Sequence, residues 1–212
     1  MDEPLTDLTV RRLVERLATS DPVPGGGSAA ALAGAMGAAL VHMVVELTVG
    51  RPVAEGHEDE LAAIAIASNQ LQSELLELAE LDAAAYDAVV RARRLPRDSD
   101  VERSARQLQV AAAVREATRV PLATARAAGE VLGLATRLAP IGNRNAISDV
   151  GVAALLTATA VRGALMNVEI NLPSLAAGEP LRAEAAGEVS SLLATLDDRD
   201  RAVRDVVAER LR

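Results

Sequence analysis

The near absence of aromatic residues is the tightest constraint this sequence places on its fold. Among 212 residues there is no Phe and no Trp, and Tyr86 is the only aromatic. Half of the chain is hydrophobic all the same, enough to bury a core and to exclude a disordered chain. Bulk in that core has to come from Leu, Val, Ile and Met, with Ala and Gly letting backbones approach closely. Ala and Leu are strong helix formers, and the aromatics that favour strands are missing. The expected fold class is all-α.

Two further absences narrow the chemistry. Without cysteine there are no disulfides, thiolate nucleophiles or zinc–thiolate sites. Without lysine, all 22 basic residues being Arg, there is no Schiff base, lysine base or P-loop lysine. Two histidines without a cluster of partners argue against a metal centre. A net charge of −8, a pI near 4.9 and no basic run make nucleic acid and anionic membranes poor partners. The N-terminal MDEPLTDL lacks the layout of a signal peptide. The uncharged stretch Val23 to Val45 is long enough to suggest a membrane span. It is mostly Ala and Gly, contains His42 and lacks flanking aromatics, so it reads as a buried core helix. These features predict a cytoplasmic protein.

Apolar periodicity and breakers divide the chain into helices. An amphipathic helix is predicted from about Thr6 to Thr19, with Leu8, Leu13, Val14 and Leu17 near one face. The run Ser20 to Gly27 breaks it, and Ser28 is the expected N-cap of a helix reaching about Thr48. Ala30, Gly34 and Ala38 give that helix a flat side for close packing. Gly50 to Gly56 forms a second break before a long helix from Glu58 to Arg93. The next helix starts near Asp98, with Asp98 or Ser99 as its cap, and Pro121 either kinks it or starts another ending near Leu138. Residues Pro140 to Asn143 form a loop, Ser148 and Asp149 open a helix that ends before Pro173, and Pro180 opens the last one. No repeat or linker appears, so residues 1–212 read as a single-domain bundle of long helices.

Three places carry groups able to do chemistry. The first is Pro22-Val23-Pro24-Gly25-Gly26-Gly27-Ser28. Its glycines let the backbone approach a ligand, and the helix start offers unpaired N–H groups to an oxygen. A side chain at Gly26 is expected to weaken ligand binding more than folding. The loop serves equally well as a tight turn for helix packing. The second lies on the long helix, where the stripe Leu61, Ile64, Leu71, Leu75 and Leu78 continues into Asp82, then Tyr86 and Val89. A carboxylate on an apolar seam either pairs or shifts its pKa, and such carboxylates are common in active sites. The competing reading is an ion pair with Arg91, Arg93 or Arg94, or an exposed edge. The third is Gly142 to Asp149, where Asn143, Asn145, Ser148 and Asp149 gather at a helix start, as a ligand site or as plain capping. Asn167 and Asn171 share the face of Asp149, but Asn167 lies about 27 Å further along that helix. One ligand cannot easily touch both within a subunit. Ala153, Leu156, Ala160 and Gly163 between them suggest a smooth surface for a second copy of the helix. Ser28 and His42 are too far apart to act as nucleophile and base, and His57 reads as a surface residue.

Together these blocks resemble the formimino-tetrahydrofolate cyclodeaminase family, which also contains methenyltetrahydrofolate cyclohydrolases. The matching stretches are PVPGGGSAAALAGAMGAALVHMVVELTVGR, LDAAAYDAVVRARRLP, EATRVPLATARAAGEVL and GNRNAISDVGVAALLTATAVRGALMNVEINLPSL. They follow the family's order and cover nearly the whole chain. The resemblance implies an all-helical homodimer, a folate substrate, one-carbon metabolism, and no metal or added cofactor. It implies a stand-alone unit without the transferase domain of the bifunctional enzymes. Carried over by position, the glycine loop falls on Gly25, Gly26, Gly27 and Ser28, and the helix carboxylate on Asp82. Tyr86 stands where Phe is more usual. The polar loop falls on Gly142, Asn143, Asn145, Ser148 and Asp149, and the late asparagines on Asn167 and Asn171. After the second helix, members often carry Lys and Tyr, whereas this chain has GRPVAEGHEDE.

The expected activity is conversion of 5-formimino- to 5,10-methenyl-tetrahydrofolate with release of ammonia, hydrolysis of the methenyl form to 10-formyl-tetrahydrofolate, or both. Asp82 or Asp149 would stabilise the amidine-like cation and move a proton. The Ser28 helix start would bind a folate oxygen, and Arg51 or Arg94 the glutamate tail. The alternative is a non-catalytic folate-binding or assembly module, which the missing aromatics and the altered stretch after Gly50 favour.

Overall fold

The computed structural model describes residues 3–212. Met1 and Asp2, which open the N-terminal stretch read above, lie outside them. The described residues form six α-helices and no strand: α1 (Val10–Leu17), α2 (Gly26–Glu46), α3 (Glu58–Arg93), α4 (Asp100–Leu138), α5 (Ile147–Asn171) and α6 (Pro180–Arg210).

Local chemistry sets most of these ends. Thr9 accepts from the Arg12 N–H and starts α1 later than the periodicity predicts, because Thr6 is bound to Glu80 of α3. Ser99 and Glu102 form a reciprocal capping box for α4. The break before α3 turns on Gly50 and Gly56, whose φ of +74° and +79° suit glycine. Pro121 neither starts a helix nor ends one, since α4 runs through it from Asp100 to Leu138. Ser28 does not cap α2. The N-cap is Gly25, which offers no side chain, and Ser28 lies wholly buried inside the first turn.

Helix α2 is the centre of the bundle. Its Ala31, Ala38, Val41 and Val44 are wholly buried, with α3, α4 and α5 packed around it. Small residues make this possible. Gly34 lies against Leu75 and Ala128, Gly163 of α5 lies against Ala30, and a Cβ on Gly37 would fall 2.5 Å from Thr157 Cγ2. These contacts run α2 and α5 antiparallel. They also correct the expectation that the Ala153–Ala160–Gly163 face awaits a second subunit, because α2 of the same chain occupies it and leaves Ala153 and Ala160 fully buried.

Helix α6 closes the bundle antiparallel to α5. Val207 packs on Gly151, Asp197 pairs with Arg162, and Arg210 donates to the Ala139 and Gly142 carbonyls beyond α4. Apolar side chains remain outside. Met36 and Met43 of α2 and Val152, Leu155, Met166 and Ile170 of α5 are exposed, and α1 buries none of its residues. By length and composition, α2 and the stretch Arg144–Ser174 could cross a membrane, yet about half of each apolar window (56% and 50%) is buried against the chain.

Candidate active site

A cleft of about 230 Å³ opens at the N-terminus of α2. Its floor is the glycine loop with Gly25, Gly26 and Gly27, one wall is Asp82 and Tyr86 of α3, and the other is Ala117 of α4 with Asn167 and Asn171 of α5. Two of the three groups singled out from the sequence therefore meet in one place, together with the late asparagines.

Asp82 is half-buried and lies against the first turn of α2. No arginine reaches it; Arg91 pairs with Asp87 instead. The Ser28 hydroxyl is 3.0 Å from Asp82 Oδ2 and 3.0 Å from the Ala79 carbonyl oxygen. Burial pushes the Asp82 carboxyl above the ordinary carboxylate range, and hydrogen bonds from the Ser28 hydroxyl and N–H only partly oppose it. The missing cap of α2 and the seam carboxylate of α3 thus explain each other, because Asp82 brings from another helix the oxygen that Gly25 lacks. Gly27 is what admits it. A Cβ there would sit 2.2 Å from Asp82 Oδ1, whereas a Cβ on Gly26 would meet only Asn167 Nδ2 at 3.8 Å. The tightest approach within the chain is thus at Gly27, and the nearby group is the chain's own Asp82 side chain.

The Ser28 hydroxyl has one proton and two acceptors. With Asp82 ionised, it donates to the carboxylate. With Asp82 protonated, the carboxyl donates to Ser28 Oγ and the hydroxyl turns to the Ala79 carbonyl. Neither state leaves a buried polar atom unpaired, so the carboxyl can gain and lose a proton without rearranging the helices. Tyr86, at the rim, is the other titratable side chain lining the cleft.

The remaining candidates lie elsewhere in the chain. The Asn143–Asp149 block sits at the far end of the α2–α5 pair. The Asn143 amide is spent inside the chain, donating to the Leu47 carbonyl and accepting from the Asn145 N–H. Asn145 and Ser148 are exposed, and Asp149 is half-buried in the first turn of α5. Arg51 is exposed, donates to the Leu47 carbonyl, and stands beyond the C-terminal end of α2, about 30 Å from Gly26. Arg94, exposed at the end of α3, is about 18 Å along the helix from Asp82. Neither arginine lines the cleft. His42 bonds to the Ala65 carbonyl and Ser68, away from Ser28.

Sequence reasoning missed the part played by Pro121 and Ala117. A proline lacks the N–H that would bond the carbonyl four residues earlier, and the Ala117 carbonyl accepts from Asn171 Nδ2 instead, at 2.7 Å. A proline in the middle of an uninterrupted apolar pattern was the available signal. A larger groove, of about 600 Å³ on the α3–α4 hairpin, is lined mainly by Ala88, Ala92, Leu95, Ala112 and Ala113. Its polar side chains are Arg91, Gln109 and Glu116, of which Arg91 is paired with Asp87 and Glu116 with Arg119.

A family model described as Formiminotransferase-cyclodeaminase matches residues 9–190. A methenyltetrahydrofolate cyclohydrolase of Methylorubrum extorquens is 42% identical over 167 residues, covering 79% of this chain and 80% of that protein. The formimidoyltransferase-cyclodeaminase of Rattus norvegicus is 32% identical over 192 residues. That match covers 91% of this chain but 35% of the rat protein, so the chain spans about a third of its length. Among solved structures, a formiminotetrahydrofolate cyclodeaminase from Thermotoga maritima superposes with a TM-score of 0.85 at 26% identity, over 97% of this chain and 98% of that one.

Proposed function

The chain belongs to the formiminotransferase-cyclodeaminase family, and on that premise we propose that it is a folate one-carbon enzyme acting on the carbon between N5 and N10 of tetrahydrofolate. The first reading is hydrolysis of 5,10-methenyl- to 10-formyl-tetrahydrofolate, favoured by the 42% identity to a cyclohydrolase that the chain matches along most of its length. The second is cyclodeamination of 5-formimino-tetrahydrofolate, favoured by the fold shared with a cyclodeaminase over 97% of the chain.

The observation that carries both is a desolvated carboxyl, Asp82, facing an open cleft with no basic partner. Both substrates place an amidine-like carbon between two nitrogens, and a carboxylate beside it stabilises the positive charge. In hydrolysis, water attacks the methenyl carbon and its proton passes to Asp82. The bond from that carbon to N5 then breaks as N5 takes this proton back from Asp82, and the hydroxyl releases its remaining proton to solvent as it becomes the carbonyl of the formyl group on N10. In cyclodeamination, N10 attacks the formimino carbon, the N10 proton passes to the imino nitrogen, and the protonated carboxyl gives that nitrogen a second proton as the carbon–nitrogen bond breaks and ammonia departs, leaving the methenyl cation beside the carboxylate. Ser28 follows each transfer by turning between Asp82 and Ala79. Parallel absorbance assays with methenyl- and 5-formimino-tetrahydrofolate test the proposal. Tight tetrahydrofolate binding without turnover of either would select a non-catalytic binding module instead.

We also propose a cytoplasmic homodimer that needs neither metal nor added cofactor and acts without nucleic acid or membrane. The cleft is smaller than the roughly 300–1,000 Å³ typical of ligand sites, which fits a site completed by a partner. The α2–α5 pair carries exposed Met36 and Met43 on α2 and exposed Val152, Leu155, Met166 and Ile170 on α5, apolar side chains suited to burial against a second copy. A two-fold axis across that pair would bring Asp149 of one subunit to the Asn167 end of the other. Mixing inactive Asp149→Ala and Asn167→Ala proteins should then restore about a quarter of wild-type activity, since about half of the dimers are hybrids with one intact site of two. No recovery after verified subunit exchange would refute sharing.

A further inference from the structure

Pro121 lies inside α4, where a proline ordinarily breaks a helix. Its missing N–H leaves the Ala117 carbonyl without a helical partner, and Ala117 is a wall of the cleft. Asn171 Nδ2 lies 2.7 Å from that carbonyl and 2.9 Å from the Asn167 carbonyl. Asn167 Nδ2 in turn lies 2.8 Å from the Gly163 carbonyl. These contacts fix which way each amide points, because the reverse orientation would set oxygen against oxygen. Both amide nitrogens are therefore spent on backbone carbonyls. Neither Oδ1 has a partner among the described residues, and neither is a buried unsatisfied atom, so both remain open to a ligand.

We propose that Pro121 is a positioning residue for ligand recognition: by freeing the Ala117 carbonyl it anchors the Asn171 amide nitrogen and leaves the Asn171 oxygen to accept from the ligand. The α5 wall then offers two amide acceptors beside the Asp82 carboxyl. Such a wall suits a ligand edge made of N–H donors, such as the amino and ring N–H groups of a pterin. The assignment rests on the folate reading above and names the part of the molecule that this cleft holds.

The test compares Pro121→Ala, Asn171→Ala and the double variant. Alanine at 121 restores a helix N–H to the Ala117 carbonyl and is the better helix former, so the variant should melt at or above the wild-type temperature. Its tetrahydrofolate Kd and its KM for methenyl-tetrahydrofolate should nonetheless rise about tenfold, with kcat within about twofold of wild type. The double variant should bind no worse than Asn171→Ala, because both changes remove one contact. The Asn171 side-chain amide resonance, identified by its loss in Asn171→Ala, should exchange faster in Pro121→Ala. Wild-type Kd and KM in Pro121→Ala, losses that multiply in the double variant, or an unchanged amide exchange rate would each overturn the proposal. A wild-type protein that binds no tetrahydrofolate would instead overturn the folate reading, while the amide signal still reports on the anchor.

Discussion

Asp82→Asn is expected to lower turnover about 10²- to 10⁴-fold while the protein folds as before, the range over which a positioned general acid or base acts. The substitution keeps the shape of the side chain and its contact with Ser28 but removes the ability to take a proton or to oppose a cationic carbon. The loss should fall on kcat more than on KM, since the charge matters most in the transition state. Stability should move the other way. Because burial raises the carboxyl pKa in the folded state, ionisation favours unfolding. This cost is absent below the unfolded pKa, grows as pH rises toward the folded pKa, and is complete above it. The variant should therefore melt higher than wild type at neutral pH, and that advantage should vanish in acid once both states of wild type are protonated. Thermal melts at several pH values alongside steady-state assays measure both effects. Activity within a few-fold of wild type would remove Asp82 from the chemistry.

Gly27→Ala is expected to cost about 10²-fold or more in turnover, the scale associated with a misplacement of about 1 Å in an active site. Gly26→Ala should cost less in turnover, because it leaves the Asp82 carboxylate in its seat, with its effect falling on ligand binding instead. The two neighbours differ because a methyl group at 27 would sit 2.2 Å from Asp82 Oδ1, whereas one at 26 meets nothing nearer than 3.8 Å. Asp82 has a short side chain and can swing aside, so Gly27→Ala should fold, with its carboxyl moved off the Ser28 hydroxyl and the α2 N-terminus. Equal losses in the two variants would mean that the glycines serve the turn alone, and full activity in Gly27→Ala would mean that the seat of the carboxylate does not matter. Assays of both proteins, with circular dichroism to verify folding, decide it.

Much of the helix map was readable because each helix carries its own local signals. Glu58 to Arg93 follows the Gly50–Gly56 break, and of the two caps open to the next helix, Asp98 and Ser99, it is Ser99 that forms one, with Glu102. Ser28 misled for an instructive reason. Serine before an apolar run is a good N-cap, but here a carboxylate from 54 residues further along the chain takes that place and draws the hydroxyl sideways. At Pro121, of the two readings open from the sequence, a new helix start does not occur, and a side chain of α5 compensates for the bond the proline removes.

The sequence by itself determined the helical class, the aliphatic core packed through Ala and Gly, the family resemblance, and the suspicion attached to Asp82 on a leucine seam. Composition and 3.6-residue periodicity act within one helix and are visible along the chain. Only the tertiary structure decided that Asp82, Ser28 and Gly27 meet, that Asn167 and Asn171 face them, and that Asn143, Asp149, Arg51 and Arg94 do not. It also gave the smooth face of α5 to α2 of the same chain. The physical reason is that a small-residue stripe and a polar helix end specify a close contact without specifying its partner, and that choice depends on how all the helices pack together.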